Sequence, residues 1–386
     1  MTDLIAELCA RFGLGEPASS RRVGGTRNLS FAVKTDRGKW VARRRYEGYA
    51  DPERVAFDHA ALRLLADNGV PVVAPCVSVD GQSYATVRSS EAASLRSTSW
   101  RTDSQVWEVY PFAAGRHLRE GHRNDVLALA RSLANFHRVG QSFELRYDKL
   151  GPRGETDPGH LLASIQRLRA EPDATSYRSR GVEPTRPVGP RAHDVGATRR
   201  VAPTAPYERA VTTAASRLTG DSYASLPHTL VHGDVQPANV LMNRGRVSAF
   251  LDLDWCAWRP RVYDLCFAML CCCARHARPI GAGEVWLLTQ APQLDAGVLD
   301  EFLAMYEAHS WPLTEGEKAA LPAQMALTWC HARLDNALKV PLAERPQFLR
   351  RDEDRMALTR APGGSELARS IIQAVRSIGR AIAGVT

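Results

Sequence analysis

No apolar run in the 386-residue chain approaches the roughly 18 residues of a membrane span. The longest, Leu265 to Ala274, stops between Asp264 and Arg275 and reads as a buried helix. No basic region followed by an apolar stretch opens the sequence, so no signal peptide is visible and a cytoplasmic protein is expected. The eight cysteines show neither C-x-x-C spacing nor a paired framework, which excludes a redox motif and a disulfide-stapled fold. Cys271, Cys272 and Cys273 lie in the apolar helical run, where consecutive side chains fan around the axis; they read as buried reduced thiols rather than a metal site. There is no G-x-x-x-x-G-K-[ST] run, hence no Walker-type phosphate loop, and no G-x-S-x-G elbow. Gly13-Leu14-Gly15 follows a helical pattern and is interrupted by Pro17, which excludes a dinucleotide fingerprint. A long basic run is missing too. The formal charge of +8 comes almost wholly from scattered arginines, so a membrane or nucleic-acid partner is not expected.

What is present is an alternation of strand and helix patterns. Leu4, Ile5, Leu8 and Phe12 are spaced for a short amphipathic helix over residues 2 to 13. Leu29, Phe31 and Val33 then alternate as in a strand, and the turn Asp36-Arg37-Gly38-Lys39 leads into a second, Trp40 to Arg45. The next helix carries its own punctuation: Asp51 as cap, Pro52 at its first position, Gly69 and Pro71 beyond its end. Asp80-Gly81 between Cys76-Val79 and Gln82-Val87 predicts a hairpin. A Ser/Thr-rich loop spans about 88 to 104, and Val106 to Phe112 reads as a fifth strand. These elements predict a small antiparallel sheet with one helix, in residues 1–110. Residues 111–386 should form a mainly helical second unit, starting with a helix from Asp125 to Val139. Within it Pro172, Pro184, Pro187, Pro190, Pro203 and Pro206 mark 172–206 as a surface insertion.

The chemistry is concentrated in Val231-His232-Gly233-Asp234-Val235-Gln236-Pro237-Ala238-Asn239-Val240-Leu241. An aspartate followed five residues later by an asparagine is catalytic-loop spacing. Val240 to Met242 and Val247 to Leu251 then form a hairpin around Asn243-Arg244-Gly245-Arg246, which brings Asn239 back to Asp252 at its far end. Phosphoryl transfer needs mainly positioning and charge neutralisation. Asp234 suits the role of base toward an acceptor hydroxyl. Asn239 and Asp252 offer the hard oxygen ligands that Mg2+ prefers.

This run resembles the aminoglycoside phosphotransferase and choline kinase-like superfamily. The residues that carry the likeness are His232-Gly233-Asp234 through Asn239, Leu251-Asp252-Leu253-Asp254, and Pro260-Arg261-Val262-Tyr263-Asp264-Leu265. Val23-Gly24-Gly25-Thr26-Arg27-Asn28 resembles the family's phosphate loop. The resemblance implies an α+β, two-lobed protein-kinase-like fold binding ATP (or GTP) with Mg2+. It implies Asp234 as catalytic base, Asn239 and Asp252 as metal ligands, and Gly24, Gly25, Thr26 and Asn28 at the phosphates. His232 and Asp264 would support the catalytic loop, Asp264 either by holding its backbone or by capping the helix that follows. The family's nucleotide-binding lysine is an arginine in Val41-Ala42-Arg43-Arg44. Adjacent strand residues face opposite sides, and Arg43 is the one expected in the cleft. Asp58 stands where a glutamate usually pairs with that cation. Glu108 to Phe112, including Tyr110, resembles the hinge that hydrogen-bonds adenine through backbone groups.

By family likeness the acceptor is an aminoglycoside or another sugar-bearing antibiotic or metabolite, with homoserine, amino alcohols and nucleosides as the alternative. His331 and Asp335, four apart on a helix, have a spacing that metals use, but they read as a polar helix face, with contact to substrate left open.

Overall fold

The structure is a computed structural model that describes residues 2–23, 28–88, 104–151, 153–170, 204–278, 285–290, 292–350 and 364–383. It has two lobes: a five-stranded antiparallel sheet with one main helix, and a mainly helical part.

The first lobe opens with α1, Thr2–Arg11, whose Leu4, Ile5, Leu8 and Cys9 are buried. They pack on the inner face of the sheet with Leu29, Phe31, Val33, Ala42, Trp107 and Val109. Five strands follow: β1 Pro17–Val23, β2 Leu29–Thr35, β3 Gly38–Arg44, β4 Ala85–Arg88 and β5 Ser104–Pro111. Their order is β1-β2-β3-β5-β4. Between β3 and β4 lies α2, Pro52–Asp67, with Pro52 in its first turn; the Asp51 side chain accepts from the N–H groups of Glu53 and Arg54, both at 3.1 Å.

Two expectations fail here. β1 replaces the first strand of the expected 76–87 hairpin. Its Pro-Ala-Ser-Ser-Arg-Arg sequence is an exposed sheet edge without an apolar face, so alternation gives no signal. The Asp80-Gly81 turn does form, closed by Ser78 N–H donating to Gln82 O at 2.7 Å. Cys76-Val79, however, joins no strand pair. Pro71 and Pro75 lack the N–H a ladder needs, and only Cys76 N–H reaches the sheet, at Val109 O. Most of the expected 88–104 loop lies outside the described residues; its ends, Arg88 and Ser104, pair as strand residues.

The second lobe contains β6 Arg116–His117, α3 Arg123–Gly140, α4 Pro158–Arg169, α5 Ala205–Arg217, α6 Gly220–Ala224, β7 His228–Val231, β8 Val240–Asn243, β9 Arg246–Phe250, β10 Ala257–Pro260, α7 Val262–Ala268, α8 Ala296–His309, α9 Glu315–Ala337, α10 Arg345–Arg350 and α11 Glu366–Ala383. β8 and β9 make the expected hairpin, turning through Arg244 and Gly245 at positive φ, with β6 beside β8. The β7–β10 pair is additional, four residues long on each side and too short to read from pattern. Helix α3 buries Leu129, Ala130, Leu133, Ala134 and Phe136 at the centre of this lobe. Of the expected 172–206 insertion only Thr204, Ala205 and Pro206 are described, and the last two already open α5. All eight cysteines are free, and six are buried.

Candidate active site

The expected catalytic loop leaves β7 at Val231. Gly233 sits at φ +85°, and a Cβ there would come within 2.2 Å of the Trp255 carbonyl oxygen, so only glycine fits. Asp264, in the first turn of α7, holds this backbone with both oxygens. Oδ2 accepts from His232 N–H at 2.6 Å and Oδ1 from Gly233 N–H at 2.8 Å. Of the two roles expected for Asp264, the structure shows the grip on the loop; the position before α7 is Arg261, whose side chain makes no cap. His137 of α3 lies 3.0 Å from Asp264. Burial opposes ionisation of Asp264, but His137 first and His232 after it hold its carboxyl below the usual range. His232 is itself buried and 3.0 Å from the Leu251 carbonyl, which fastens the loop to the end of β9.

Asp234 follows. Its Oδ2 accepts from Gln236 Nε2 and from Asn239 Nδ2, each at 2.8 Å. Asn239 Nδ2 also donates to the Asp234 carbonyl at 3.0 Å, so the amide oxygen of Asn239 faces away from that carboxylate. Withdrawal from water pushes the Asp234 carboxyl up to about 6.

Asp252 closes the hairpin in a left-handed conformation, φ 59° and ψ 60°, which is strained for a residue with a Cβ. Its side chain is 45 % exposed. Partial desolvation in the cleft and then the Asp254 charge push its carboxyl up. Asp254 goes the other way: burial opposes its ionisation, but Arg43 and Arg45 prevail and lower it. Asn28 donates to Asp254 at 2.7 Å, tying the end of the expected phosphate loop to this segment. Gly24, Gly25 and Thr26 lie outside the described residues.

Arg43 faces Asp252 and Asp254, on the side of β3 opposite Arg44, as strand alternation requires. Its guanidinium contacts Glu108 at 2.8 Å, Asp254 at 3.0 Å, Asp252 at 3.3 Å and the Tyr110 hydroxyl at 3.2 Å. Arg44 faces the other side, where burial and then Arg22 lower its pKa. The expected Arg43–Asp58 pair does not form. Asp58 is bound instead by Arg45 at 2.8 Å and by Lys149. Asp58 lacks the methylene that a glutamate has, and Glu108 already occupies the place beside Arg43. The adenine contact expected of Glu108 to Phe112 runs through backbone groups, and the Glu108 side chain has a separate place. It is fully buried, serves Arg43 and Arg45 as an internal counter-ion, and lies 2.7 Å from His59 Nε2.

Sequence reasoning passed over Asp254, Arg45 and Lys149. The second aspartate of Leu251-Asp252-Leu253-Asp254 was a signal for the first. Arg45 shares a strand face with Arg43, which was a signal for the second. Lys149 is an isolated loop residue with none.

A further charged group surrounds His331. His331 Nε2 is 3.2 Å from Glu155, its Nδ1 is 3.3 Å from Asp335, and His160 Nε2 is 3.0 Å from Asp335. Burial disfavours the His331 imidazolium, but Glu155 and Asp335 outweigh it and raise its pKa to about 10.

Comparison with known proteins identifies the fold and the family. Two solved structures align over nearly the whole chain. One is a microcompartment-associated aminopropanol kinase, with TM-score 0.58 and 16 % identity over 98 % of this chain and 95 % of that one. The other is an amicoumacin kinase in complex with AMP-PNP and Ca2+, with TM-score 0.57 and 11 % identity over 98 % and 92 %. They place the chain in the protein-kinase-like fold. Residues 20–309 match the phosphotransferase enzyme family, and the chain belongs to that family. Among curated proteins, a homoserine kinase of Gluconacetobacter diazotrophicus is 25 % identical over 323 residues, covering 83 % of this chain and 78 % of that protein.

Proposed function

We propose that the protein moves the γ-phosphate of ATP, with Mg2+, to a hydroxyl of a small molecule. The observation that carries this reading is the convergence of four side chains, Asp234, Asn239, Asp252 and Arg43. Asp234 stands on a loop gripped by Asp264, Asn239 turns its amide oxygen away from Asp234, and Asp252 and Arg43 meet 3.3 Å apart. Asp234 orients the acceptor hydroxyl and takes its proton. Asn239 and Asp252 are hard oxygen donors whose chemistry fits Mg2+, and a metal held there would neutralise phosphate charge. Arg43 is in place to grip phosphate through a fork of donors, Tyr110 beside it, with Asn28 held by Asp254 just before β2.

The relatives shift the balance between acceptor classes. One is named a homoserine kinase and one solved neighbour an aminopropanol kinase. Their small hydroxylated amines favour that class over the aminoglycosides expected from family likeness.

The test is ADP release with ATP and Mg2+ over a panel of sugars, nucleosides, amino alcohols and hydroxy amino acids. Acceptor-stimulated turnover supports the reading. ATP binding with no stimulated turnover by any class would replace it with a binding role.

A further inference from the structure

Glu155, His160, His331 and Asp335 take no part in the phosphate-side arrangement, and they come from three different elements. Glu155 belongs to a 3-10 turn, Gly154–Thr156. His160 is in the first turn of α4, and His331 and Asp335 share one face of α9. These pieces are fastened to one another. Ser164 donates to Asp335 at 2.9 Å, and Gln324 donates to Thr156 at 3.0 Å. They are also fastened to the catalytic loop. The His331 ring packs 5.9 Å from Phe267 of α7, the helix whose Asp264 grips that loop. Arg261, just before α7, binds Glu317 in the first turn of α9 at 2.6 and 2.9 Å. The charges of Glu155 and His331 both act on Asp234.

The group is neither sealed core nor open surface. The side chains of Glu155 and Asp335 are 18 % and 17 % exposed. One ligand atom each from Glu155, His331 and Asp335 lies within 4.8 Å of the others. Carboxylate and imidazole alternate: Glu155, His331, Asp335, His160. Each carboxylate thus already faces an imidazole, which is the opposite of a polycation pocket, where several carboxylates stand uncompensated. The imidazole is an imperfect partner, however. It is flat, and His331 Nδ1 meets Asp335 as an ion pair at 3.3 Å that falls outside good hydrogen-bond geometry. An ammonium carries three donors on one rotor and can serve both carboxylates together.

We infer that Glu155 and Asp335 are the recognition site for the single ammonium group of the acceptor, a small amino alcohol or hydroxy amino acid, with His331 and His160 balancing charge so that polycations are not favoured. This rests on the phosphotransferase reading and names the substrate class of that same cleft.

The experiment compares 1-amino-2-propanol and L-homoserine with their amine-free counterparts 1,2-propanediol and 4-hydroxybutyrate, and with a tetra-amino aminoglycoside. It uses the full chain and its E155Q and D335N variants, with Mg-ATP affinity measured on each protein as a check of folding. The expected result is turnover of at least one mono-amine in preference to its amine-free partner and to the polycation. In each variant KM for that amine should rise roughly 10- to 100-fold, the size of a lost hydrogen bond to a charged group, with kcat near the starting value. Equal use of amine-free alcohols, preference for the polycation, or a fall in kcat with KM unchanged would overturn the inference while leaving the kinase intact. Zn2+ bound through Glu155 and Asp335, with amines having no effect on KM, would also overturn it and make the group a metal site. Failure of every acceptor in the unmodified protein would remove the phosphotransferase reading along with it.

Discussion

Lys149 reaches the Asp58 carboxylate of α2 with its ammonium and donates to the Asp254 carbonyl at 3.1 Å. The residue is 3 % exposed and Asp58 1 %. One buried cation thus joins the helix of the small lobe to the segment just after Asp252. Arg54 adds a second bond to the same carbonyl at 2.8 Å.

Replacing Lys149 with Met leaves Asp58 with one cation, Arg45, instead of two. Breaking a buried pair costs about 3–5 kcal/mol when a charge is stranded; Arg45 remains, so a loss nearer the lower end or below it is expected. Arg45→Met should cost more, because Arg45 serves both Asp58 and Glu108. Denaturant unfolding of the two variants checks the order, which the reverse ranking would refute.

Arg43→Ala should weaken ATP binding by about 1.5–3 kcal/mol, a lost charge-assisted hydrogen bond. Arg44→Ala, on the opposite face of β3, should change it little. Calorimetric titration of both proteins decides. Equal losses would mean that Arg43 is occupied with Glu108 and Asp254 rather than with phosphate.

Asp252→Ala removes one of the two proposed metal ligands. ATP should then bind no better with Mg2+ than with the metal chelated, while the unmodified protein binds better with Mg2+. A mutant that keeps its metal dependence would move the metal to other residues.

The imidazolium of His331 gives a pH dependence with a definite sign. Its folded pKa is raised to about 10, above the ordinary 6.5. Such a group contributes stability that is fully present below about pH 6.5 and is lost as pH rises through about 10. The charges facing it are Glu155 and Asp335, with His160 and Lys339 close by. His331→Gln should therefore flatten the stability decline expected of the unmodified protein between pH 7 and 10. Parallel declines in the two proteins would show that His331 is not held as an imidazolium.

Much of the site was legible because its spacing is local. Asp234 and Asn239 lie in one loop, and a hairpin of readable turn chemistry returns the chain to Asp252. Strand alternation was enough to put Arg43 on the side of β3 that faces Asp252. The partners of Asp58 and Glu108 were not legible, because pairing within a buried network depends on which cation is nearest in three dimensions. Arg45 and Lys149 are 13 and 91 residues from Asp58 in sequence. The edge strand β1 was hidden for another reason: with no face to bury, its sequence has no period. Glu155 and His160, distant from His331 in sequence, acquire meaning only when α4 packs beside α9.

The central claim is that Asp234 is the base, and Asp234→Asn tests it most directly. The substitution keeps the size of the side chain and removes its charge. General-base contributions run about 100- to 10,000-fold, and a loose phosphoryl-transfer transition state asks least of the base, so a loss near 100-fold is expected. ATP affinity should stay close to its starting value, since Asn239, Asp252 and Arg43 are untouched. The measurement is steady-state turnover of both proteins on the best acceptor found, with nucleotide affinity taken on the same samples. A fall in kcat of about 100-fold or more at near-constant ATP affinity is the predicted result; a variant that turns over within a few-fold of the unmodified protein would contradict the assignment of the active site.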